Sequence, residues 1–242
     1  MTGLSTRGLW VVVALMGVVL LGTLWVAGSG PPVPAGTSTG SIRLGPEPGQ
    51  DVGEYLASLP GQLPPEGMPV PALVQLDRPL DVPAAAALAG TSPVSTVVFR
   101  VPLERVQTAL RFEHVTGTGD PAAALGVARE QAAFRAEADR DRAERARDPA
   151  ADPETGALLA RRAAIAAAEQ RMLAAPDCAC VIGLVVTADR DALEALAGTA
   201  GVRAVHAAPQ RSSAAQLALS PLLPEQTTAA TPPPDDGPVP AG

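Results

Sequence analysis

Nineteen consecutive residues, Leu9 to Ala27, carry no charge, and this run constrains the chain more than any other feature. At about 1.5 Å of rise per residue it makes a helix of roughly 28 Å, close to the roughly 30 Å hydrocarbon core of a bilayer. Trp10 and Trp25 stand near its two ends, where indole rings favour the boundary between lipid and water. Arg7 and the amino terminus precede the run, and the next basic residue is Arg43. A short positive flank stays on the cytoplasmic side, so the expected orientation in the cytoplasmic membrane is N-terminus inside and C-terminal domain outside. The rival reading is a signal peptide, cut near Ala27-Gly28-Ser29-Gly30. Its apolar region would typically be about 7–15 residues, and the length of the run favours a retained anchor. No Cys follows the run, which excludes a lipoprotein anchor at this point.

The sequence divides into a cytoplasmic N-terminus (1–8), a transmembrane helix (9–27), a Gly-, Pro-, Ser- and Thr-rich linker (28–49), an exported domain (50–220) and a Pro-rich tail (221–242). Linker and tail have too few apolar residues to bury a core, so both read as disordered. What remains is enough for one domain of ordinary size. All 18 basic residues are Arg, with no Lys and no Asn, as expected of a GC-rich genome. Beyond Gly28, 17 Arg face 25 acids, a formal charge of −8 that makes nucleic acid a poor partner.

Within the domain, Asp51 to Leu59 reads as a short amphipathic helix, with Asp51 and Glu54 as a cap pair and Pro60 as its stop. Ala72 to Leu76 reads as a strand. Asp81 caps a helix through Ala89, with Pro83 in its first turn and Gly90 at its end. Val94 to Val101 is rich in β-branched residues and reads as strand. From Arg105 to His114 polarity alternates, which predicts a half-exposed strand with Val106, Thr108, Leu110, Phe112 and His114 on one face. Asp120-Pro121 and Asp152-Pro153 open two long helices, a hairpin over 120–175 closed by Pro176. Leu158, Ile165 and Met172 recur every seven residues beside Leu159, Ala166 and Leu173, a stripe suited to an antiparallel partner. The charged run from Arg135 to Arg147 predicts a solvated face with pairs such as Arg135–Asp139 and Asp141–Arg145. Cys178 to Val186 is a predicted strand, Asp189 to Ala197 a helix, and Val202 to Ala207 a last strand.

Two strand–helix–strand units in this order predict an α+β fold: a ferredoxin-like sandwich interrupted by a long helical hairpin and preceded by one transmembrane helix. The stretch from Gly183-Leu184-Val185-Val186-Thr187 through Leu193-Glu194-Ala195-Leu196 to Gly201-Val202-Arg203-Ala204-Val205 resembles the second half of subtilisin-type propeptides. Ala72 to Val101 is similar to a first half. The resemblance implies a modulator of an exported subtilisin-like protease, although no protease domain follows and the hairpin interrupts the unit. The whole chain also resembles uncharacterised single-pass membrane proteins of GC-rich bacteria, which implies a location and no activity.

Few residues offer chemistry. Cys178 and Cys180 are the only cysteines, and three readings stand: buried thiols or a strained bridge, an intermolecular disulfide, or a redox or soft-metal site. His114 and His206 are the only histidines, each at the end of a predicted strand, and their spacing does not suggest a metal site. Gly36-Thr37-Ser38-Thr39-Gly40 fits the pattern of a hydrolase nucleophile elbow, but lacks the strand before it and helix after it that the chemistry needs. The carboxylates lie mostly on the hairpin among Arg partners, poor material for acid–base catalysis. The expectation is a non-enzymatic protein without cofactor, binding another protein through the hairpin or an exposed sheet face. An accessory role in a membrane transport complex is a further alternative. Membrane lipid, an unidentified protein and a second copy of the chain are the partners this organisation allows.

Overall fold

The computed structural model describes residues 41–117, 119–148 and 152–240. The expected membrane span, with Leu9, Trp10, Trp25 and Ala27, and the Gly36–Gly40 motif lie outside these residues. Among the described residues, no helix is long and apolar enough to cross a membrane.

The chain from Ser41 onward is α+β. In order, its elements are β1 (Ile42–Leu44), α1 (Val52–Ser58), β2 (Val70–Leu80), α2 (Val82–Ala89), β3 (Val94–Phe99) and β4 (Arg111–His114), then the hairpin helices α3 (Pro121–Arg145) and α4 (Pro153–Ala174). They are followed by β5 (Val181–Ala188), α5 (Arg190–Ala197), β6 (Val202–Ala207) and β7 (Leu217–Leu219). Helix starts follow local chemistry: the side chains of Asp51, Asp81, Asp120, Asp152 and Asp189 each accept a hydrogen bond from a backbone N–H of the first turn. Pro83, Pro121 and Pro153 occupy first-turn positions, where no N–H partner is lost.

Five strands form one sheet in the order β4-β3-β5-β2-β6, with every neighbouring pair antiparallel. Strands β2 and β3, joined through α2, therefore run parallel with β5 between them. Strands β5 and β6, joined through α5, run parallel with β2 between them. The two strand–helix–strand units interlock, and β4 adds an edge.

One sheet face carries Val74, Leu76, Val97, Phe99, Leu184, Val186 and Val205 and packs against α2, α3 and α5. Helix α3 approaches through small residues, with Ala128, Ala132 and Ala136 buried at successive turns beside Leu125. Alanines at this spacing let the helix axis come close to the sheet and to α4.

The opposite face is covered as well. Leu73, Val98, Ile182 and Val185 pack under Leu44 and Leu223. Strand β1, within the predicted linker, pairs in parallel with β7, Ile42 opposite Leu217. A third cluster joins Val52, Tyr55 and Leu59 of the N-terminal arm to Ala204, Leu222 and Ala230. The linker reading thus fails from Ile42 onward and the tail reading fails from Pro221, because each arm supplies apolar side chains that the other and the sheet bury. No open sheet face remains for a partner among the described residues.

Two strand expectations are corrected. Only Arg111–His114 of the alternating 105–114 stretch is strand, and the charged side of that strand is the buried one. Arg111 and Glu113 are 7% and 2% exposed, whereas His114 is exposed and Leu110 is 38% exposed. Both sheet faces are occupied, so the charged face of β4 turns toward the hairpin and Phe112 toward the smaller apolar cluster. Similarly, Cys178 and Cys180 precede β5 rather than lying on it.

Candidate functional site: the hairpin and the cleft at its base

The two hairpin helices present three surfaces: a seam between them, an outward face on α3, and a cleft where both lean over residues 107–111. In the seam, Arg129 is buried and donates to Leu173 O at 2.8 Å and also to Ala175 O. That side chain satisfies carbonyls at the C-terminal end of α4, where the helix dipole favours a cation. Of the predicted stripe, Ala166 and Leu173 are buried, whereas Leu158 is 51% exposed.

On the outward face, Val127 and Phe134 are 62% and 64% exposed. Seven residues apart, they lie one above the other on the side of α3 that faces away from Ala128, Ala132 and Ala136. Glu130, between them, is exposed.

The cleft at the base is built on a buried charge cluster. Arg111 donates from Nη1 to Asp139 Oδ2 of α3 at 2.9 Å and from Nη2 to Glu169 Oε2 of α4. Arg111 and Glu169 are both buried, with side chains 6% and 3% exposed. Glu169 Oε1 also accepts from Ala109 N at 2.6 Å, and Asp139 Oδ1 from Arg142 Nη1 at 2.7 Å. One arginine thus bridges edge strand, α3 and α4 through two ion pairs. Beside it, Arg135 Nε approaches Glu113 Oε1 to 3.3 Å without hydrogen-bond alignment, and burial holds the Glu113 carboxyl above its ordinary range. Arg111 Nε is likewise buried without a hydrogen-bond partner. The cleft above has a volume of about 520 Å³ and an aliphatic wall that includes Leu159 and Ile165.

The predicted solvated face of α3 is therefore only partly solvated. Arg145 does meet Asp141, at 4.0 Å. Arg135 and Asp139 instead reach the sheet, because α3 crosses the charged side of β4. Sequence reasoning missed Arg111, Glu113 and Glu169 as a cluster. A signal was present in Glu169, which sits between Ala166 and Leu173 within an otherwise apolar helical stripe.

The other candidates lie apart. Cys178 and Cys180 are a disulfide-bonded pair with Cα atoms 5.3 Å apart, both buried. His114 is exposed at the end of β4. His206, on β6, accepts at Nδ1 from Gly45 N at 2.9 Å and lies 3.1 Å from the Tyr55 hydroxyl. Gln75 Nε2 donates to that hydroxyl at 2.7 Å, and Gln75 Oε1 accepts from Leu222 N at 2.7 Å. This relay ties both arms to the sheet. It requires a neutral imidazole with Nδ1 unprotonated, and burial lowers the His206 pKa accordingly. Burial also pushes the Tyr55 hydroxyl up to about 12.

The tail docks along α4 and the 102–108 segment. Arg161 donates to Gly237 O at 3.0 Å and to Asp235 Oδ1 at 2.9 Å, and Arg105 pairs with Asp236. Gly237 N donates to Arg105 O at 2.7 Å. A Cβ at Gly237 would lie 2.3 Å from Glu104 O, so only glycine permits this approach.

Compared with known proteins, the chain matches no protein-family model, no curated protein and no solved structure.

Proposed function

We propose that the chain is a non-enzymatic single-pass membrane protein that presents its α+β domain outside the cytoplasmic membrane and binds another protein there. Residues 9–27 form the anchor, with residues 1–8 inside the cell. The outward face of α3 is the binding surface. The observation that carries this reading is the exposed Val127–Phe134 pair on a helix whose other side is well packed. An aromatic residue left in water on a rigid helix suits a protein partner that offers a complementary apolar strip. With both sheet faces covered, the hairpin is the element left to dock. The strand order supports reading the five-stranded unit as a ferredoxin-like sandwich with β4 added and the hairpin inserted.

The test is crosslinking in intact membranes followed by purification of the full chain, comparing wild type with Val127→Ser/Phe134→Ser. Specific crosslinked species should vanish in the double variant while folding, read by circular dichroism, is unchanged. Identical crosslinks in both would refute the assignment of the surface. For the anchor, a reporter fused behind Pro240 should be active only outside the cytoplasm, and activity only inside would overturn the orientation.

A further inference from the structure

We propose that residues 105–107 and Arg161 of α4 form a docking site for an extended, acidic, proline-containing segment of another protein, and that the chain's own tail occupies this site as a resident competitor. This inference does not depend on a partner at the outward face of α3.

The seated tail defines what the site reads. Over residues 233–237 it meets three receptor residues, and each reads at least two of its groups. Arg105 donates from Nε to Asp236 Oδ1 at 2.8 Å, and its carbonyl accepts from Gly237 N at 2.7 Å. Gln107 donates from its backbone N–H to Asp235 Oδ1 at 3.0 Å and from Nε2 to Pro233 O at 2.6 Å. Arg161 donates to Asp235 Oδ1 and to Gly237 O. A Cβ at position 237 has no room against Glu104 O, so the site selects two carboxylates followed by glycine. Arg105 holds a left-handed backbone, φ 54°, which a non-glycine residue keeps where its surroundings fix it. Proline ahead of the acidic pair keeps such a segment extended before it docks, which lowers the ordering cost.

The tail is held in a way that lets it leave. Of residues 231–240 only Gly237 is buried. The Arg105 and Asp236 side chains are 55% and 63% exposed, those of Arg161 and Asp235 30% and 41%, and ion pairs in water contribute little. The chain ahead of the tail is fixed independently, by buried Leu222, Leu223 and Ala230 and by Glu225 paired with buried Arg100 at 2.6 Å. The tail therefore opens without uncovering the core, a local event of low cost. Opening takes the paired carboxylates from Arg105 and Arg161, and an incoming segment of the same chemistry restores them.

A second copy's tail fits this role poorly. Only Thr231 and Pro232 separate Ala230 from Pro233, a reach of about 10 Å. The second copy's Ala230 would have to crowd against the first copy's own, which is buried in place. A segment of another protein carries no such tether.

The experiment is fluorescence polarisation of a labelled peptide with the sequence of residues 231–240, titrated with the full chain in non-ionic detergent at low salt. Asp235→Asn/Asp236→Asn in the chain loosens the resident tail. This variant should bind the peptide at least about fivefold more tightly than wild type, the gain when a tethered competitor at about millimolar effective concentration is weakened. Two altered peptides probe the reading without touching the fold of the chain. Asp235→Asn/Asp236→Asn and Gly237→Ala, made in the peptide, should each weaken binding to the loosened chain at least about fivefold. Arg105→Gln/Arg161→Gln in the loosened chain should do the same, whereas Phe134→Ser should leave binding unchanged and so separates this site from the α3 surface. No binding by the loosened chain up to about 2 mM, equal affinity of the three peptides, or equal binding by wild type and loosened chain would each overturn the proposal. A concentration-dependent dimer that Asp235→Asn/Asp236→Asn abolishes would assign the site to a second copy's tail and overturn it as well.

Discussion

Replacing Glu169 by Leu removes one half of the buried pair that joins β4 to the hairpin. Two losses follow. Arg111, 6% exposed in its side chain, keeps the half-exposed Asp139 as its remaining ion-pair partner, and the Ala109 N–H loses its acceptor. Breaking a buried pair on one side costs about 3–5 kcal/mol, since an uncompensated charge stays in the interior. For a domain of this size that corresponds to a fall in melting temperature of roughly 6–20 °C. Arg111→Met should cost a similar amount by stranding Glu169. If the two losses were independent, the double variant would lose about 6–10 kcal/mol. With both charges gone, what remains is the orphaned Ala109 N–H, about 1–3 kcal/mol. Asp139 stays satisfied by Arg142 at 2.7 Å and by solvent. The assay is a double-mutant cycle on the full chain in detergent, with thermal and urea unfolding followed by circular dichroism. Additive losses, or single losses below about 1 kcal/mol, would refute the claim that this pair bridges edge strand and hairpin.

Three further outcomes are expected. Ala132, fully buried between α3 and the sheet, should not tolerate Leu: overpacking should cost about 1–3 kcal/mol, read as a lower urea midpoint, and an unchanged midpoint would contradict the close approach. His206 has a lowered pKa in the fold, so its contribution is complete above its ordinary value of 6.5 and is lost as pH falls below it toward the folded value. Urea midpoints at successive pH values should therefore fall more steeply on acidification in wild type than in His206→Asn, and parallel curves would count against the relay. A Cβ at Gly45, which has φ +124°, would lie 1.7 Å from Ser220 O, so Gly45→Ala should separate β1 from β7. Amide hydrogen exchange would show this as lost protection across Ile42–Leu44 and Leu217–Leu219, and retained protection would speak against the pairing.

Local chemistry made most of the central elements legible in the sequence. Aspartate caps, first-turn prolines and apolar periodicity act within a few residues, so α2, both hairpin helices, α5 and β6 fall close to their expected limits. The 105–114 stretch shows the boundary of such reasoning. Alternation says that two faces differ, but not which is inward, and β4 buries its charged face because Asp139 and Glu169 wait there from distant parts of the chain. The cleft is equally invisible, since it needs residues about sixty positions apart to meet.

The arms make the same point about composition. Segments rich in Gly, Pro and Ser cannot bury a core of their own, which is why Ile42–Gly49 and Pro221–Pro240 read as unstructured. The sequence by itself determined the helix boundaries, the alternation of strand and helix, and the uncharged run at the N-terminus. Tertiary structure alone decided that the arms cover the second sheet face, that Arg111 and Glu169 share one interior site, and that Phe134 is left in water. The physical reason is that caps and periodicity are settled by neighbours along the chain, whereas burial is settled by whatever arrives across it.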